Sequence, residues 1–233
     1  MNDPRPTDHE YLMAIAIDVA ARSNCLKIPV GAVIAVDGRT RSVGYNGTIE
    51  GFPDCFDGGC PRCKDHRIHR GEQLDRCICV HAEQNAIIAA GRYGIPIEGA
   101  DLYVTHEPCL ECTKSLIQAK IKNVYFWKKY DYSPKTDHAV SRKRMRESRE
   151  TKTDFAQIEL DGPDQKIPLE KRYQEITSRM DALIKERYPK LWTAQSRKAK
   201  RKPGRVTRAR TKRLVRIARL RPAAKRPSRL GAR

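Results

Sequence analysis

The spacing from His81 to Cys112 constrains this chain more than any other feature. It reads His81-Ala82-Glu83 and then Pro108-Cys109-Leu110-Glu111-Cys112. One imidazole and two thiolates fill three corners of a tetrahedral zinc site and leave the fourth for water. Both ligand types hold zinc, an ion without redox chemistry of its own. Water held there loses a proton near neutral pH and becomes a nucleophile. Glu83, two residues from His81, is placed to relay that proton to a departing group. The local sequence agrees. Residues 82–90 are rich in helix formers, and Gly91 or Gly94 can close the helix. Leu102-Tyr103-Val104-Thr105 reads as a buried strand, and Pro108 suits the first turn of a second helix. On that helix Cys109 and Cys112 share a face, so two helix N-termini are expected to converge on one ion. The competing reading makes Cys109 and Cys112 a redox pair or half of a structural zinc knuckle. It leaves Glu83 without a role and His81 without a partner.

Charge divides the chain of 233 residues. Its formal net charge is +19, yet residues 193–233 hold 17 of the 47 Lys and Arg and no Asp or Glu. The first 192 residues are therefore close to neutral. We expect a globular body over residues 1–165, a helical extension over 166–192 and a disordered basic tail over 193–233. Like charges in one block repel and resist packing. The tail has no aromatic residue after Trp192, which argues against stacking on single-stranded bases. It fits nonspecific attachment to nucleic acid through phosphates, or a plain solubilising or subunit-bridging role. Eight cysteines without a secretory signal favour metal ligands and free thiols in a reducing cytoplasm. No apolar run is long enough to span a membrane.

Along the chain, residues 8–22 carry apolar side chains at helical spacing. Residues 30–36 read as a buried strand, Asp37-Gly38 as a hairpin turn and residues 40–45 as the returning strand. Residues 51–80 read as a long loop holding Cys55, Cys60, Cys63, Cys77 and Cys79. A loop of that length needs a tie. A second, structural zinc would supply one, with ligands drawn from these five, Cys25 and His69. Residues 123–127 form another expected strand, Arg142-Lys143-Arg144-Met145-Arg146 a solvated helix face, residues 155–160 a last strand and residues 168–188 an amphipathic helix. The order of elements gives an α/β fold layered around one sheet.

Over residues 8–132 the chain resembles the deoxycytidylate (dCMP) deaminases of the cytidine deaminase superfamily. The resemblance rests on Val30-Gly31-Ala32-Val33-Ile34, Gly44-Tyr45-Asn46-Gly47-Thr48, His81-Ala82-Glu83-Gln84-Asn85-Ala86, Tyr103-Val104-Thr105 and Pro108-Cys109 with Cys112. The zinc motif is the signature of zinc nucleobase deaminases, and the Asn46 segment narrows it to the dCMP branch. The resemblance implies an α/β/α sandwich around a mixed sheet of about five strands. It implies His81, Cys109 and Cys112 as zinc ligands, Glu83 as proton shuttle, and Asn46, Ala82 and Tyr130 as substrate contacts. It further implies conversion of dCMP to dUMP and ammonia by a homo-oligomer. Some members carry a second zinc near the positions of Cys25 and Cys55. Ile49 stands where many members have Pro, a difference of loop shape. Deaminases of the riboflavin pathway share His-Ala-Glu but place their second Cys farther from the first, and those of transfer-RNA adenosine share Pro-Cys-x-x-Cys but lack the Asn46 segment and the long Cys-rich loop. The alternative functions are deamination of another cytosine compound or of RNA, and a deaminase-fold accessory that binds nucleic acid during DNA uptake.

Overall fold

Asp37 and Gly38 both adopt positive φ, 51° and 69°, so the expected turn is a tight hairpin between β1 (Gly31–Val36) and β2 (Arg39–Tyr45). The computed structural model describes residues 5–65, 67–68, 72–129, 137–148, 151–160, 167–187 and 189. Around the hairpin the chain adds α1 (Asp8–Ala20), β3 (Gly47–Thr48), α2 (Pro61–Lys64), β4 (Cys79–Val80), α3 (Ala82–Arg92), β5 (Asp101–His106), α4 (Leu110–Gln118), β6 (Asn123–Lys128), α5 (Asp137–Arg146), β7 (Asp154–Gln157) and α6 (Leu169–Arg187). Five strands form one sheet in the order β2-β1-β5-β6-β7. β1 runs antiparallel to β2 and β5, whereas β5, β6 and β7 are mutually parallel. The parallel strands are linked by α4 and α5, as such pairs require. The expected mixed α/β sheet is therefore present.

The central strands read as unbroken apolar runs because both faces of the sheet are covered. On one face Val33, Tyr103 and Trp127 pack with Leu12, Met13 and Ile17 of α1 and with Leu169 and Tyr173 of α6. On the other, Ala32, Ile34, Leu102, Val104 and Val124 pack with Ala82 and Ala86 of α3 and Leu116 of α4. Two glycines permit this closeness. A Cβ at Gly31 would stand 2.0 Å from the Ala16 carbonyl oxygen, and one at Gly44 would stand 2.2 Å from that of Ala82. The helical extension is thus built onto the body: Tyr173 donates to the Pro29 carbonyl at 3.1 Å, and Arg172 pairs with Asp18.

Several expectations change in detail. Pro108 lies before the N-cap of α4, which is Cys109, and not in its first turn. The last strand is Asp154–Gln157, shorter than expected, although Leu160 is still buried in the core. The Cys-rich loop contains α2, two single 3-10 turns and β4, which pairs with β3. The basic run ending at Arg146 is not wholly a solvated face. Arg146 is half-buried, donates to Glu107 Oε1 at 2.6 Å and lies over the rings of Phe126 and Phe155. Tyr130, His69 and residues 190–233 lie outside the described residues. Among the described residues no helix is long and apolar enough to cross a membrane.

Candidate active site

His81 is the N-cap of α3 and Cys109 the N-cap of α4, so the two helix N-termini converge as the spacing predicts. Cys112, one turn into α4, completes the group. Nδ1 of His81 lies 3.4 Å from Cys109 Sγ and 3.3 Å from Cys112 Sγ. Zinc–sulfur and zinc–nitrogen bonds of ordinary length at a tetrahedral angle would set that separation at about 3.6 Å. The three side chains therefore fit a single zinc ion. Their charges point the same way. A hydrogen bond from Cys112 leads the effects that bring the Cys109 thiol down to about 4. Burial disfavours a charged His81, but hydrogen bonds with Cys109 and Cys77 outweigh it and push the imidazole up to about 11. The thiolate charge thus holds a proton on His81 where a metal ion would replace it.

Glu83 is 4% exposed, on the first turn of α3. Burial raises its carboxyl to about 7, against the pull of His81. A carboxyl balanced near neutrality can both take up and release a proton at working pH. It opens onto a cleft that His81, Cys109, Ala82 and Asn46 also line.

Asn46 has a structural duty as well. Its Oδ1 accepts from Ser23 Oγ at 2.7 Å and from the Val30 amide at 2.8 Å, while Nδ2 donates to the Ile28 carbonyl at 2.9 Å. It therefore fixes the segment between α1 and β1 as one wall of the cleft.

The six candidate cysteines of the second cluster separate. Cys55, Cys60, Cys63 and Cys79 form one buried group whose sulfurs lie within 4.8 Å of one another. Cys55 Sγ is 3.7 Å from Cys63 Sγ and 3.2 Å from Cys79 Sγ. Four thiolates around one zinc would stand about 3.8 Å apart. Cys25 packs against this group, and Cys77 lines the cleft. All eight cysteines are free thiols. Hydrogen bonds led by Cys55 hold Cys60 below the ordinary thiol range, and those led by Cys25 push Cys79 above it.

Sequence reasoning missed Lys27, Arg62, His106 and Glu107, which also line the cleft. Arg62 stands inside the Cys60-Pro61-Arg62-Cys63 knuckle, so its place beside a metal cluster was visible, but its opening onto the cleft was not.

Residues 6–128 match the family described as the cytidine and deoxycytidylate deaminase zinc-binding region, just over half of the chain. The chain belongs to this family. A deoxycytidylate deaminase of Mycobacterium phage D29 is 37% identical over 128 residues, covering 52% of this chain and 95% of the phage protein. ComE operon protein 2 of Bacillus subtilis is 42% identical over 126 residues, covering 54% of this chain and 62% of that protein. A deoxycytidylate deaminase of Saccharomyces cerevisiae is 41% identical over 126 residues, covering 54% of this chain and 39% of the yeast protein. The chain thus spans less than two thirds of the length of these last two relatives. The deaminase family match begins before α1 and ends with β6, so it takes in every residue of both clusters.

Proposed function

We propose that the chain is a zinc-dependent hydrolase that converts dCMP to dUMP and ammonia. The observation that carries this reading is Glu83, buried beside the His81, Cys109 and Cys112 group at the floor of a cleft. Relatives named deoxycytidylate deaminase from yeast and phage support the choice of substrate. His81 Nδ1 and the sulfurs of Cys109 and Cys112 would hold the ion. Zinc, when bound there, supplies the Lewis acidity that makes water nucleophilic near neutral pH. Glu83 takes the proton from that water and delivers it toward the departing amine. Asn46 and Ala82 shape the wall against which the nucleotide rests. Tyr130 joins them as a substrate contact.

A second zinc belongs to the same reading, held by Cys55, Cys60, Cys63 and Cys79, with Cys25 and Cys77 outside the ligand set. The dry burial and spacing of the four thiols support it. It would tie the loop to β4 and so to His81. The working protein is a cytoplasmic homo-oligomer, its body at residues 1–165, its helical extension at 166–192. The basic tail over residues 193–233 attaches it to nucleic acid through phosphates.

The test is an assay of the purified protein against dCMP, deoxycytidine, cytidine and transfer RNA. Turnover of dCMP, lost with a chelator and restored by zinc, is expected. An inert dCMP beside turnover of another compound would overturn the substrate assignment.

A further inference from the structure

Residues 28–30 form one wall of the cleft, where Ile28 and Val30 stand beside Asn46 and His106. Each carbonyl of that wall has its own donor. The Ile28 carbonyl accepts from Asn46 Nδ2 at 2.9 Å, and the Val30 carbonyl accepts from the Asn46 amide at 3.2 Å. Between them, the Pro29 carbonyl accepts from Tyr173 Oη at 3.1 Å. A buried carbonyl left without a donor is costly, so Asn46 and Tyr173 divide the wall between them. Asn46 lies inside the family match, which ends at residue 128. Tyr173 lies beyond it, on α6.

Tyr173 reaches the wall by a second route. Its ring centroid is 5.6 Å from that of His106, with 52° between the planes, and it meets Trp127 edge-on at 5.7 Å. His106 Nδ1 lies 3.1 Å from Thr105 Oγ1, and that oxygen accepts from the Gly31 amide at 3.3 Å. Residues 29–31, the end of β5 and Tyr173 therefore close a ring of contacts. The helix that carries the tyrosine is tied down along its length. Glu170 pairs with Lys128, Arg172 pairs with Asp18, and Arg187 pairs with Asp57 in the Cys-rich loop.

We infer that Tyr173 is a positioning residue for this site: from behind the wall it holds Pro29 and His106 in the shape that the nucleotide meets, which makes α6 part of the active site. The inference rests on the proposed deaminase reading. The competing role is structural alone. Tyr173 also belongs to the core shared by α1 and the sheet, and it would then serve only stability.

Tyr173→Phe keeps the ring and removes the donor to Pro29. Ile176→Ala, on the same helix and packed against the same core, is the control for stability. Both are compared with the parent as full chains, with zinc content determined on each sample. Amide exchange is followed at Val30 and Asn46, whose N–H groups bond across the wall, and is referred to the amides of β5. Binding of dUMP is measured by calorimetry, and KM and kcat are measured on dCMP. Tyr173→Phe should speed exchange at the wall and weaken dUMP binding, each by roughly threefold to tenfold, the scale of one neutral hydrogen bond. KM should rise by a similar factor, with kcat and zinc content near the parent's. Ile176→Ala should lower the thermal midpoint and leave wall exchange and dUMP affinity unchanged. Unchanged dUMP affinity in Tyr173→Phe, or an equal loss in Ile176→Ala, would overturn the inference. A parent that neither binds dUMP nor deaminates dCMP would count against the proposed function. Exchange at Val30 and Asn46 needs no ligand, so it would still decide whether Tyr173 holds the wall.

Discussion

Glu83 owes its character to its surroundings. On an exposed helix turn it would be an ordinary carboxylate; beneath the cleft, burial raises it to about 7. Replacing it with Gln keeps the shape and removes the proton. Glu83→Gln should retain zinc by metal analysis and lower kcat on dCMP by about 10²–10⁴-fold, the usual worth of a general acid–base group. A milder loss would move the proton relay to another residue. Arg146 makes a second residue-level case. Its pair with Glu107 is largely buried, with side-chain exposures of 12% and 14%. Removing one partner leaves a partly buried charge behind, at a cost below the roughly 3–5 kcal/mol of a fully buried pair. Arg146→Ala should therefore lower the thermal midpoint clearly, and an unchanged melting curve would show that water already reaches Glu107. His81, Glu83, Cys109 and Cys112 were legible in the sequence because their chemistry is bound to residue type and short spacing. Arg146 was not, because the pattern around it is that of a solvated helix. Only the pairing partner 39 residues away distinguishes it from its neighbours.

At the scale of elements, α3 is held to the sheet by close backbone approach as much as by apolar area. Ser42 Oγ donates to the Ala86 carbonyl at 2.8 Å, and two residues along, Gly44 lies under Ala82 and Ala86. A methyl group at Gly44 would come 2.4 Å from the Ala86 amide nitrogen. The helix must shift, and His81 and Glu83 shift with it. Gly44→Ala should reduce both zinc retention and stability, by roughly 1–3 kcal/mol if the packing yields as overpacked cores do. Equal denaturation midpoints for the variant and the parent would refute this packing account. Gly44 stood in the sequence as part of a turn-rich segment. Its role as a contact surface for α3 needed the fold, because the partner residues are about 40 positions away. The hairpin was legible from Asp37-Gly38 and the apolar run before it, since both signals are local. The Cys-rich loop was legible as a ligand pool, but not in its division. Which four of six thiols meet depends on how β4 docks on β3, a pairing of two residues on each strand.

For the whole molecule, the uneven charge separates two kinds of behaviour. A chain stopped after Trp192 should keep deamination of dCMP and lose retention on DNA or RNA at low salt. Each phosphate neutralised should add about 0.9 to the slope of log affinity against log salt on duplex DNA. Equal retention by both forms would remove the tail from this role. The mixed sheet carries a further consequence, one of timing. Its β1–β2 hairpin closes through a two-residue turn, whereas its parallel half must wait for helical crossovers, and non-local pairings are the slow ones. His81 follows the hairpin half, while Cys109 and Cys112 ride on the crossover from β5 to β6. The three donors are together only once both halves have met. Zinc at this centre should then act late on the folding path: adding it to a refolding chain leaves the folding rate nearly unchanged, and the same ion slows unfolding markedly.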